Sequence, residues 1–137
     1  MIEKTKDMEQ YYYSDFAEIS YDASYGYISY IWKTPPTPDE FKLGCEKLLL
    51  AIQHFKCGKA MVDTRQMGAI QNEVLEWMTS DWMVRAAANG YESVAVIVPT
   101  DIFASLAVND IIDRVNDRVV HHNFDDKEAA LNWIKKQ

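Results

Sequence analysis

The sequence predicts an α/β fold: a mixed, mainly parallel five-stranded sheet in the order ββαβαβαβα, with helices largely on one side. Three observations carry this reading. Segments 16–21 and 27–32 are rich in aromatic and β-branched residues and are separated by the turn-forming Asp22-Ala23-Ser24-Tyr25-Gly26, which marks an antiparallel hairpin. Beyond it, helical and strand patterns alternate, which implies right-handed crossovers and parallel strands. The run SVAVIV at 93–98 is apolar throughout, as in a strand covered on both faces.

Each element has a local cause. Pro35 and Pro36 stop the second strand, and Thr37, Pro38 and Glu40 supply an N-cap, a first-turn proline and a capping-box acid. The helix that follows places Phe41, Cys45, Leu48, Leu49 and Ile52 on one stripe, and Gly58 is positioned to end it beyond Lys56. Residues 60–63 read as a strand, and a second helix spans 72–89, ending at Gly90. After the central strand, Thr100 is placed to cap a third helix carrying Phe103, Leu106, Ala107, Ile111 and Val115. A short strand at 118–124 and a last helix, opened by the capping-box spacing of Asp125 and Glu128, complete the chain. Residues 1–10 read as an N-terminal tail and 11–137 as one domain. Tyr11, Tyr12 and Tyr13 are expected to begin an edge strand.

Composition narrows the class of function. At 137 residues with 48% hydrophobic content, the chain suits a single packed core. Its net charge of -7 repels polyanions and its basic residues do not cluster, which argues against nucleic acid. No apolar run approaches the roughly 20 residues of a membrane-spanning helix, and residues 1–10 lack the apolar stretch of an export signal. Two unpatterned cysteines, Cys45 and Cys57, then read as reduced thiols, and the expected location is cytoplasmic.

The hairpin, the strand ending Val62-Asp63-Thr64-Arg65, the Met67-Gly68 turn, the helix with Trp77 and Trp82, the segment Ala95-Val96-Ile97-Val98-Pro99 followed by Asp101 and Phe103, and the closing Phe124-Asp125-Asp126 with Glu128 and Trp133 together resemble a bacterial, stand-alone STAS/SpoIIAA-like domain. The resemblance runs from about Tyr13 onward. It implies a small sheet related to the anti-anti-sigma factors and to the wider group that includes CRAL-TRIO lipid-binding domains. In the anti-anti-sigma proteins a serine at the start of the helix after the third strand, in a pattern like D-S-S-G, is a phosphorylation switch. Here the matching stretch is Gln71-Asn72-Glu73-Val74, without a phosphoacceptor. Asn72 as a helix cap and Glu73 beside the positive helix end account for those residues structurally.

Ligands of open α/β sheets gather outside the carboxyl ends of the parallel strands. Asp63, Thr64 and Arg65 fall there, as does Asp101. The second helix carries two apolar lobes: Leu75, Met78, Trp82 and Ala86 on one, Trp77, Val84 and Ala88 on the other. Asp81 and Arg85 lie between them at ion-pair spacing. The spare lobe is expected to cover a neighbouring helix, line a cavity or meet a second subunit, and Arg85 could anchor an acidic head group. His121 and His122 point to opposite faces of a strand, and His54 with Cys57 lacks a second pair of zinc ligands, so neither supports a metal site. No GxSxG, GxGxxG or GKS/GKT motif is present. The leading expectation is a non-catalytic regulatory or protein-interaction module, self-associating as a homodimer and needing no cofactor. The alternative is a carrier or sensor of a small apolar or amphipathic ligand, and an enzyme using Asp63 and Asp101 comes third.

Overall fold

The computed structural model describes residues 8–99 and 119–137. The sheet is mixed and six-stranded, in the order β1 (Met8–Tyr13), β2 (Ala17–Asp22), β3 (Tyr27–Trp32), β4 (Lys59–Asp63), β5 (Ser93–Ile97) and β6 (Val120–Phe124). The first three strands form an antiparallel meander, and β3 to β6 run parallel. The α/β class is thus as expected, but the five-stranded pattern is not. The extra strand begins at Met8, inside the stretch read as a tail. The polar Glu9 and Gln10 hid it, because an edge strand needs no regular apolar alternation. A bulge between Gln10 and Tyr12 lets two consecutive tyrosines serve the same core. Tyr11 meets His54 and Phe55, and Tyr12 meets Phe16.

Helix α1 (Pro38–Phe55) starts as its sequence demands: Thr37 accepts from the Glu40 amide, and the Glu40 carboxylate accepts from the Thr37 amide. Phe41, Cys45, Leu48, Leu49 and Ile52 are all buried. Its end is not at Gly58. Lys56 takes the left-handed conformation itself, with φ 52°, and its amide donates to the Ile52 carbonyl. Gly58 is needed for another reason: a Cβ there would collide with the Gly90 carbonyl, where the Gly58 oxygen also receives the Glu92 and Ser93 amides. The chain from α1 into β4 and the chain into β5 therefore touch backbone to backbone.

The second helix is interrupted. It runs as α2 (Asn72–Trp77), one π-helical turn (Met78–Trp82) and α3 (Met83–Ala88). Val74 and Met83, nine residues apart, would stand on opposite sides of a regular helix at 100° per residue. The residue absorbed by the π turn rotates the second half, and both are buried, at 3% and 1% exposure. Met83, which belongs to neither apolar lobe read from the sequence, is turned inward by this phase shift. Gln71, not Asn72, is the N-cap residue, and its side chain makes no capping bond. Helix α4 (Lys127–Ile134) is capped by Asp126, whose carboxylate accepts from the Ala129 amide, one residue later than the expected Asp125.

The helices do not all share one side. The larger core joins α1, Val74 and Leu75 of α2, the π turn and α3 to one face of the sheet, whereas Ala130 and Ile134 of α4 pack on Met61, Ala95 and Ile97 of the other. The helix expected from Thr100 lies outside the described residues. Among the described residues, no helix is long and apolar enough to cross a membrane.

The Gly58 contact and the strained Lys56 give opposite expectations for two neighbouring substitutions. Gly58→Ala should lower the stability measured by urea unfolding by about 1–3 kcal/mol, the usual cost of overpacking. Lys56→Gly should raise it by up to about 1 kcal/mol, because glycine adopts the left-handed region freely.

Candidate functional site

Between the sheet and the helices of the larger core lies a cavity of about 60 Å³. The sheet supplies Tyr30, Val62, Val94 and Val96; α1 supplies Phe41, Cys45 and Leu48; and the second helix supplies Met78, Trp82 and Met83. Met67 and Tyr91 come from loops. The volume exceeds the 10–15 Å³ or so that a single water needs, and is below the roughly 150 Å³ of a cavity that binds benzene. Three methionines in the wall give it the means to reshape, since their unbranched side chains repack at low cost.

Two contacts set the height of this space. The Trp82 indole Nε1 donates to the Cys45 carbonyl oxygen at 2.7 Å, tying the π turn to the middle of α1. Gly44 then lets α1 settle onto β3, because a Cβ at that position would collide with the Tyr30 hydroxyl and with Trp32. Trp32 stacks on Phe41 with centroids 5.2 Å apart, and Tyr30 lies 4.9 Å from Trp32.

Polar groups in the wall are few. The Thr64 hydroxyl donates to the Ile97 carbonyl oxygen at 2.8 Å, while the Thr64 carbonyl accepts from the Met67 amide, so the threonine shapes the turn after β4. His121, on β6, has Nδ1 3.1 Å from the Val119 carbonyl oxygen. Burial lowers its pKa from the usual histidine value, the carbonyl contact opposing this only in part. Burial pushes the Cys45 thiol and the Tyr30 and Tyr91 phenols up. A thiol held in its protonated form is a poor nucleophile. The Tyr30 hydroxyl is buried and, among the described residues, makes no hydrogen bond.

The candidate residues named from the sequence divide between this cavity and the surface. Thr64 and Trp82 line it. Asp63 and Arg65 instead pair with each other at 2.8 and 3.0 Å on the surface. Burial alone would raise the Asp63 pKa, but the hydrogen bonds and charge of Arg65 outweigh it and lower it. Arg85 is clamped by Glu46 of α1 at 2.7 and 2.9 Å and by Asp81 at 2.8 Å. All three are well exposed, so the clasp fixes the geometry of the two helices and contributes about 1 kcal/mol or less. Trp77 is half-buried, with the Lys42 ammonium over its ring at 5.6 Å, while Val84 is 40% exposed. It is therefore the Leu75, Met78, Trp82 and Ala86 lobe that faces the core, and the other looks outward. Asp101 lies outside the described residues.

His122 sits on the opposite face from His121, against Phe124 and Trp133. Among the described residues, no three His, Cys, Asp or Glu side chains come together as metal ligands. Sequence reasoning missed Tyr30, Gly44, Cys45 and the methionines as site residues. The one available signal was Gly44, a glycine inside a strongly amphipathic helix, where it costs about 1 kcal/mol unless something packs against it. No protein-family model, curated protein or solved structure matches the chain.

Two outcomes test this geometry. Gly44→Ala should destabilise the fold by about 1–3 kcal/mol, and adding Tyr30→Phe should recover part of that loss in a double-mutant cycle. Burial lowers the His121 pKa in the folded chain, whereas the unfolded chain protonates it near its ordinary value of about 6.5. Stability should therefore fall as pH drops from about 6.5 toward the lower folded pKa, and His121→Gln should flatten that part of the pH–stability profile.

Proposed function

We propose that this chain is a non-catalytic binding domain of the STAS/SpoIIAA-like type that holds a small, predominantly apolar ligand between its sheet and its second helix. The observation that carries the reading is the cavity itself: it is lined by aromatic, aliphatic and methionine side chains and closed by a helix whose π turn points Trp82 inward. Small-molecule sites are typically concave, mainly apolar and furnished with few polar groups. The wall favours binding over catalysis, because its thiol and phenols are held protonated and its threonine is engaged with backbone. Of the two carboxylates that an enzyme would use, Asp63 and Asp101, the one within the described residues, Asp63, is committed to Arg65. Two free cysteines fit a reducing, cytoplasmic setting.

The protein-interaction reading draws on a different feature. Leu43 and Leu50 of α1 are 45% and 46% exposed and lie seven residues apart on one side of the helix. Self-association through that side is compatible with a ligand in the cavity.

Native mass spectrometry and thermal unfolding with toluene separate these possibilities. A ligand-binding domain should retain added mass after purification or gain several degrees in Tm with toluene. Cys45→Leu, which fills the cavity, should abolish the gain. No added mass together with no toluene response, or an equal response in Cys45→Leu, would refute the reading.

A further inference from the structure

Among the described residues the two edges of the sheet differ. At one, β6 carries the sequence Val120-His121-His122-Asn123-Phe124, with no carboxylate, lysine or arginine. At the other, β1 pairs with β2 alone, and Met8, Glu9, Gln10 and Tyr13 are exposed, Tyr13 to 60%. An uncovered edge strand offers backbone donors and acceptors to a chain that can align with it. The bulge between Gln10 and Tyr12 interrupts β1 without ending it, since the ladder with β2 resumes on both sides.

Charge gives this edge a direction. Glu9 stands near the start of β1, while at its far end the Lys47 ammonium lies over the Tyr12 ring at 5.4 Å and the Lys33 ammonium over the Tyr13 ring at 3.8 Å. Glu9 and Tyr12 share the helix side of the sheet, because they lie opposite Tyr21, which stacks on Phe55, and Ile19, which belongs to the core beneath α1. Two copies of β1 laid antiparallel about an axis perpendicular to the sheet bring each Glu9 to the other copy's Tyr12 and Lys47. A parallel alignment would set Glu9 beside Glu9 and lysine beside lysine, which is unfavourable. Apolar surface borders the same edge. Leu43, Lys47, Leu50 and His54 follow one another on one side of α1, and Lys47 and His54 contact Tyr12 and Tyr11. Leu43 and Leu50, 45% and 46% exposed, are thereby placed beside β1.

We propose that the β1 edge is a homodimer interface, in which a second copy of this chain adds its own β1 antiparallel to the first and makes the two sheets continuous. Glu9 of each copy meets the partner's Lys47, and the Leu43 and Leu50 stripes of the two α1 helices meet above the join. Such an interface uses the same patch on both copies and closes at two. It does not depend on the cavity.

Sedimentation equilibrium on the purified full chain tests the assignment. A reversible dimer is expected, with a dissociation constant that rises with sodium chloride because exposed ion pairs are screened. Glu9→Lys should raise that constant about tenfold, since two symmetry-related pairs are lost and like charges face each other. Adding Lys47→Glu restores the complementarity and should return the constant to within about twofold of wild type. Circular dichroism should show the same fold in both variants. A chain that stays monomeric at several hundred micromolar overturns the proposal and leaves the edge to a strand of another protein. Assembly beyond a dimer, a dimer unmoved by Glu9→Lys, or no recovery in the double variant also overturns it. Should a variant fail to fold, the wild type still decides, because a dimer indifferent to salt contradicts the assignment. The toluene response of the cavity is read separately, so either claim can fail alone.

Discussion

The hydrogen bond from the Trp82 indole to the Cys45 carbonyl is the constraint around which the helical layer is arranged. It joins two helices at a buried point, and a tryptophan N–H placed in an apolar core must find an acceptor or lose its place there. To reach that carbonyl, Trp82 has to face inward while Val74 and Leu75, a turn or two earlier, do so as well. A continuous α-helix cannot satisfy all of these with Met83 also buried. The π turn follows from that conflict, and with it the separation between helix and sheet in which the cavity lies. Outside, the Arg85 clasp to Glu46 and Asp81 holds the same pair of helices in register with the indole.

Much of the framework was legible because it follows from local chemistry. The capping box of Thr37 and Glu40, the buried stripe of α1 and the fully apolar β5 each express a rule that acts within a few residues. The additional strand, β1, was legible only at Tyr11, Tyr12 and Tyr13, since Glu9 and Gln10 carry no strand signal and only pairing with β2 orders them. The end of α1 was not legible, because the expected glycine was reserved for a tertiary contact with Gly90 and Lys56 took the left-handed turn instead. These misses share a cause: in each, a distant partner overrode the local preference.

The same division applies to the site. Residues chosen by charge, Asp63 and Arg65 at a strand end and Asp81 and Arg85 on the second helix, turned out to neutralise one another at the surface. Trp82 and Thr64 were the two that reach the interior cavity. Tyr30 gave no signal because a tyrosine in a strand is ordinary, and only its position over Gly44 makes its hydroxyl exceptional. The two lobes of the second helix were visible, and they are two surfaces, the Leu75, Met78, Trp82 and Ala86 lobe facing the core while Val84 and Ala88 of the other are exposed; what the sequence did not signal is the π turn that buries Met83 as well.

The central claim, that this cavity admits a ligand, is tested most directly by methyl-labelled methionine NMR during titration with toluene. Met67, Met78 and Met83 line the cavity, whereas Met61 is buried on the opposite face of the sheet and Met8 is exposed at its edge. The account predicts saturable shifts at the first three methyl groups with Met61 and Met8 unmoved. Shifts confined to Met8, or none at all under saturating toluene, would contradict it.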